Sequence, residues 1–132
     1  VVAPASANLI AKMAHGFAQV LPPGDLSVVV NVADDTERHG LLVCPDLDTV
    51  LYTLAGIEGP QGWGRVDDTF VTNTELARFG VDNNFRLGDL DLALKIYRTE
   101  ALQSGLTLAA ITDVVRSSFG LTPSILPASD TR

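Results

Sequence analysis

The chain has few basic residues, few aromatics and almost no sulfur. Nine Lys and Arg stand against sixteen Asp and Glu, a formal charge of -7, which repels nucleic acid and anionic lipid at long range and argues against a role in binding either. The sole cysteine, Cys44, cannot close an internal disulfide. The chain therefore fits a reducing cytoplasm, and Cys44 reads as a small buried side chain rather than a reactive thiol. His15 and His39 are the only histidines, and neither has a partner at ligand spacing, so both read as helix-surface or loop side chains. No apolar run approaches the roughly 18 residues of a membrane span, and no basic stretch with an apolar segment behind it marks a secretory leader. The chain opens on Val, not Met, and both ends read as cuts.

What is present is apolar and well punctuated. An apolar fraction of 46% over 132 residues excludes a disordered chain and suffices for one domain with one core. Val1–Ala3 reads as a short strand closed by Pro4, and residues 8–21, with Ile10, Met13 and Phe17 at helical spacing, as a helix ended by "PPG". "LSVVVNVA" at 26–33 has the β-branched pattern of a strand buried on both faces of a parallel sheet. "PDLDTVLYTLAG" reads as a helix whose Val50, Leu51 and Leu54 pack inward, followed by a glycine loop around Trp63. Two helices, ending at Gly80 and Gly105, come next, the second with Leu92, Ile96, Thr99 and Leu102 on one side. Thr107 is the N-cap of a further helix stopped by Gly120, and "SILPAS" is a last strand. The expectation is an α/β fold: a Rossmann-like βαβ start, a helical insertion and a partial three-layer parallel sheet.

Four carboxylates are placed for chemistry. Asp34 and Asp35 follow the central strand at its carboxyl end, where open α/β sheets bind ligands. Successive side chains of an extended segment point oppositely, so one of the pair faces a cleft and the other serves a turn or cap. Asp46 and Asp48 open a helix and either cap it or turn outward to a cation. Hard oxygen ligands on two segments, without Cys or His spacing, suit Mg²⁺, which commonly takes one or two carboxylates plus water and phosphate oxygens. The plainer alternative is a turn followed by an N-cap, with no metal.

"LPPGDLSVVVNVADD", "PDLDTVLYTLAGI", "GWG", "FRLGDLDLA", "RTEALQSGLTLAAIT" and "ILPASD" occur in unbroken order. Over about residues 17–132 this series resembles the 2-phospho-L-lactate transferase (CofD/FbiA) family. The resemblance implies Mg²⁺-dependent transfer of a phospholactyl or phosphoenolpyruvyl group from a guanosine diphosphate-linked donor to the ribityl hydroxyl of a deazaflavin, in coenzyme F420 biosynthesis. It implies Asp34 and Asp46 as metal ligands, and Asn31, Asp35, Asp48, Thr49, Gly88 and Asp89 as substrate-binding positions. It also implies that residues 1–132, read as one α/β domain, are the N-terminal part of a larger fold.

Three departures qualify the expectation. The family opens on a glycine-rich turn, whereas residues 3–16, "APASANLIAKMAHG", resemble the "PASAN" segment of flavin-binding decarboxylases related to phosphopantothenoylcysteine decarboxylase. The chain thus reads either as a join of two sources or as one divergent sequence. Leu90 stands where the family's "GDRD" has arginine, removing a partner for phosphate. The later strands of the family are absent, which leaves an open sheet edge and makes self-association an expected outcome. Weak or no turnover is expected from this chain alone, with a flavin-binding module or a ligand-free folded chain as the alternatives. Ser6 and Asn8 read as helix-cap candidates, Trp63 as a ring-stacking or loop-anchoring side chain, and Arg65, Arg86, Lys95 and Arg98 as surface charges.

Overall fold

A computed structural model describes residues 7–22 and 24–131. The order is α1 (Ala7–Ala18), β1 (Ser27–Val30), β2 (Thr36–Arg38), β3 (Leu41–Val43), α2 (Pro45–Leu54), α3 (Val71–Arg78), α4 (Asp89–Gln103), α5 (Leu108–Ser118) and β4 (Ser124–Pro127). The α/β class follows directly. β1 pairs in parallel with β4, with Val28 opposite Ile125 and Val30 opposite Pro127. The strand expected at Val1–Ala3 and the cap at Ser6 lie outside the described residues. Asn8 is inside α1.

The core lies on one face of the β1–β4 pair. Val28, Val30 and Ile125 pack with Leu47, Val50 and Leu51 of α2, Ala11 and Ala14 of α1, and Leu108 and Val115 of α5. Leu54 adds to the core from its edge, so the inward stripe of α2 is as its period requires. Small residues at 11 and 14 let α1 approach α2 closely, while the larger Met13 and Phe17 lie at its margin, more than a third exposed. β1 is not buried on both faces as its composition suggests: Val29 is 62% exposed, and its register partner Leu126 is 44% exposed. With helices packed on one side, alternate side chains emerge into solvent.

A short antiparallel hairpin, β2–β3, had no counterpart in the sequence reading. Its tight turn places His39 and Gly40 at φ of 55° and 72°, the left-handed pairing that closes two-residue hairpins. β2 is exposed throughout and shows no apolar alternation, which is why it is silent in sequence. β3 turns inward, with Val43 against Leu87 and Leu92.

The charged face of α4 is the other departure. Asp91, Leu94, Lys95, Arg98 and Ala101 are buried, whereas Ile96 is 52% exposed. Lys95 and Arg98 are therefore not surface charges. They face α2, where a buried carboxylate offsets the cost of desolvating them. Arg65 lies over the rings of Tyr52 and Phe119, and Arg86 lies over Phe70.

Candidate functional site

The end of β1 draws together residues fifteen positions apart. Val32 and Asp35 close a turn, the Asp35 amide donating to the Val32 carbonyl at 3.2 Å. Within it the Asn31 Oδ1 accepts from the Ala33 amide at 3.1 Å, which fixes the direction of the Asn31 side chain. Its Nδ2 then donates both to Asp34 Oδ2 at 3.0 Å and to Asp46 Oδ2 at 2.8 Å. One neutral amide thus holds an exposed carboxylate, Asp34, and a half-buried one, Asp46, from separate segments beside each other.

Asp34 and Asp35 diverge, although the turn, and not an extended segment, sets their directions. Asp34 joins the exposed cluster. Asp35 turns inward and accepts from the Cys44 thiol at 3.2 Å. Burial pushes that thiol up to about 12, with the Asp35 carboxylate adding to the effect and Arg98 partly opposing it. Cys44 is a buried protonated side chain at neutral pH.

Asp46 and Asp48 diverge as well, because two residues of helix place them on opposite sides of α2. Asp48 is buried. Its carboxylate accepts from the Arg98 guanidinium through both terminal nitrogens and pairs with Lys95 Nζ at 2.7 Å. Lys95 also pairs with Asp91, and Asp91 accepts from the Tyr52 hydroxyl at 2.6 Å. Burial alone would raise the Asp48 pKa, but Arg98 and Lys95 outweigh it and hold the carboxyl below its ordinary value. The same environment pushes the Tyr52 hydroxyl well up, first through burial and then through Asp48 and Asp91.

Thr49 borders a cavity of about 400 Å³ on that side of α2, with Lys95 and Asp91 among its polar groups and Tyr52, Trp63 and Phe85 among its rings. Trp63 is 56% exposed at its mouth. A smaller cavity of about 240 Å³ opens between the ends of β1 and β4, lined by Val32, Asp35, Ser129 and Thr131.

Gly88 and Asp89 lie in a different arrangement, one that sequence reading did not anticipate. Asp89 accepts from the Thr69 hydroxyl at 2.5 Å and from the Val71 and Thr72 amides at 2.9 and 3.0 Å, capping α3. In return Asp68 accepts from the Leu90 and Asp91 amides at 2.8 and 3.1 Å, capping α4. Each helix is capped by the residue that leads into the other. The Thr69 hydroxyl and the two amides hold the Asp89 carboxyl down to about 2. A methyl at position 88 would run into the Asp68 carboxylate, so Gly88 makes room for the cap. Leu90, where an arginine was expected, contributes its amide to this cap and leaves its side chain 43% exposed.

The structure therefore unites Asn31, Asp34 and Asp46, puts Asp35 on the inner side of the same turn, sets Asp48 and Thr49 on the cavity side of α2, and places Gly88 and Asp89 in the caps. Asp68, Asp91, Lys95 and Arg98 were missed. For three a signal existed, since Asp91, Lys95 and Arg98 follow i, i+4, i+7 along one helix face, whereas "DDT" before a helical run points to a cap on α3 and not to the α4 cap that Asp68 makes.

Among the described residues no three His, Cys, Asp or Glu side chains form a metal-holding group. Asp34 and Asp46, joined through Asn31, are two carboxylates from separate segments brought side by side, fewer protein ligands than such a group and the number that a cation otherwise held by water and phosphate oxygens would use.

The family model for 2-phospho-L-lactate transferase CofD matches residues 9–132. The chain belongs to the CofD family. It is 45% identical over 124 residues to a phosphoenolpyruvate transferase of Streptomyces griseus, covering 92% of this chain and 39% of that protein. Against a 2-phospho-L-lactate transferase of Methanococcus maripaludis it is 39% identical over 120 residues, covering 90% of this chain and 39% of the relative. A phosphoenolpyruvate transferase of Mycobacterium tuberculosis is 50% identical over 109 residues, 81% of this chain and 33% of the relative. The chain thus spans 39% or less of the length of these three CofD-family relatives. The family match takes in residues 9–16, the larger part of the stretch that also resembles the decarboxylases, and those residues need no second origin. No described helix is long and apolar enough to cross a membrane.

Proposed function

We propose that this chain provides the cation and diphosphate platform of a phospholactyl or phosphoenolpyruvyl transferase acting on a deazaflavin acceptor in coenzyme F420 biosynthesis. The observation that carries the reading is the pairing of Asp34 and Asp46 through Asn31 at the carboxyl end of β1. Among the described residues these two carboxylates have no basic partner, and a divalent cation is the natural counterion of such a pair. Asp34 and Asp46 would hold Mg²⁺, whose chemistry there is to neutralise diphosphate oxygens of a guanosine diphosphate-linked donor as the anhydride bond breaks.

The protein's own groups would do the rest by position. Asn31 spaces the two carboxylates. Asp35, facing the smaller cavity with the hydroxyl-bearing Ser129 and Thr131, borders the donor side. On the other side of α2, the larger cavity offers Trp63 and Phe85 for stacking a planar ring and Lys95 and Asp91 for its polar edge. Thr49 lines the larger cavity.

Calorimetric titration of the protein with Mg²⁺ and GDP tests the reading. Binding that requires both and is lost in Asp46→Asn is the expected result. Equal binding by wild type and variant would remove the site assignment. FMN serves as the control ligand, and saturable FMN binding with no response to Mg²⁺ and GDP would favour a flavin module instead.

A further inference from the structure

The start of α2 carries Asp46 yet lacks a local cap. Its N-cap residue is Cys44, whose side chain makes no capping hydrogen bond, and the first helical residue is Pro45, which has no amide proton to give. Pro45 presets the first turn by its fixed φ, but no side-chain cap ties that turn to the segment leading into it. Two consecutive residues of α4 supply the hold. Thr99 Oγ1 accepts from the Leu42 amide at 2.8 Å, just before the helix. Arg98 grips Asp48 through two nitrogens, just after Asp46, and Lys95 Nζ joins it at 2.7 Å. Segment 42–48 is pinned from both ends, and Asp46 lies between the pins, pointing the other way to meet Asn31.

We infer that Thr99, Arg98 and Lys95 form a clamp that sets the position of Asp46, and so are positioning residues for the cation platform. They touch neither Asp34 nor Asp46 and act through Leu42 and Asp48. The inference rests on the metal reading above, but its structural half concerns the protein without metal. Groups that orient ligands indirectly typically matter about 10- to 100-fold in metal affinity. Net stability need not follow, because exchanging a whole buried ion pair for apolar side chains of similar volume is often tolerated.

The test uses Mn²⁺ alone, followed by electron paramagnetic resonance, together with hydrogen exchange of the metal-free protein. The paired variant Asp48→Leu with Arg98→Met removes both charges of one arm. It is expected to melt cooperatively near the wild type, to exchange its residue 48–50 amides about tenfold faster, and to bind Mn²⁺ about 10- to 100-fold more weakly. Thr99→Val should weaken Mn²⁺ binding several-fold, roughly the low end of that range, while Thr99→Ser, which keeps the hydroxyl, restores it. Wild-type Mn²⁺ affinity in a folded paired variant would overturn the inference. Should that variant fail to fold, the Thr99 pair decides alone, and equal affinity of Thr99→Val and wild type overturns it. Equal Mn²⁺ binding by wild type and Asp46→Asn would overturn the metal reading and this role with it, even where exchange shows the clamp holding the helix.

Discussion

Asp46 and Asp48 sit two residues apart on the first turn of one helix and have opposite surroundings. Asp48 is enclosed with Lys95, Arg98 and Asp91, two acids against two bases, and every charge has a partner. Asp46 shares a single neutral amide with Asp34, two acids against no base among the described residues. The first arrangement balances itself within the protein and serves the fold. The second does not, and under the proposed function an outside cation completes it at the strand end. Acidic residues in one short motif therefore have opposite electrostatic surroundings according to the side of the helix they occupy.

The division is broken most severely by removing one member of the buried set. Arg98→Leu leaves the Asp48 carboxylate buried with Lys95 alone, and urea unfolding should report a loss of about 3–5 kcal/mol. Asp46→Asn, on the exposed side, should stay within about 0.5 kcal/mol of wild type in the absence of metal. A comparable loss in both variants would mean that the two carboxylates are not different in kind.

Of intermediate size is the effect on the interlocked caps, which hold α3 against α4 and meet the buried set only through the Asp91 amide. Asp68→Ala strips the first-turn amides of α4 of their acceptor, and a loss of about 1 kcal/mol is expected in the same experiment. Gly88→Ala should act in the same direction by displacing that carboxylate. An unchanged midpoint in both would show that the caps contribute nothing to the fold.

Acid titration sharpens the comparison further. Asp48 and Asp89 both have native pKa values below those of the unfolded chain, Asp89 down to about 2. A depressed carboxyl contributes stability that is present above the unfolded value, near pH 4, and is lost as pH falls through the folded value. Stability measured between pH 5 and 2 should therefore fall, and Asp89→Asn should flatten the lower part of that fall. An identical profile in wild type and variant would contradict the role of the Asp89 hydrogen bonds.

Much of this was legible in the sequence, for identifiable reasons. Helices with a strong period and clear ends, such as 45–54 with its Val50 and Leu51 and 108–118 with Thr107 as its cap, were visible because local signals and packing agree. The pairing of "ADD" with "PDLD" was also readable, since both flank one strand end. What was hidden depends on tertiary partners. β2 has no buried side chain to mark it. Lys95 and Arg98 look like surface charges until Asp48 is known to face them. Gly88 and Asp89 look like ligand-binding positions, and only the fold shows that Asp68 and the start of α3 already engage them.

Thermal unfolding with and without Mg²⁺ plus GDP, on the wild type and on Asp46→Asn side by side, tests the central claim most directly. A ligand at 100 times its Kd that binds only the native state adds about 2.7 kcal/mol, which is a rise of several degrees, roughly 5–15 °C, for a domain of this size. The account predicts that rise in the wild type and none in Asp46→Asn. The same rise in both proteins, or none in the wild type under saturating ligand, would contradict it.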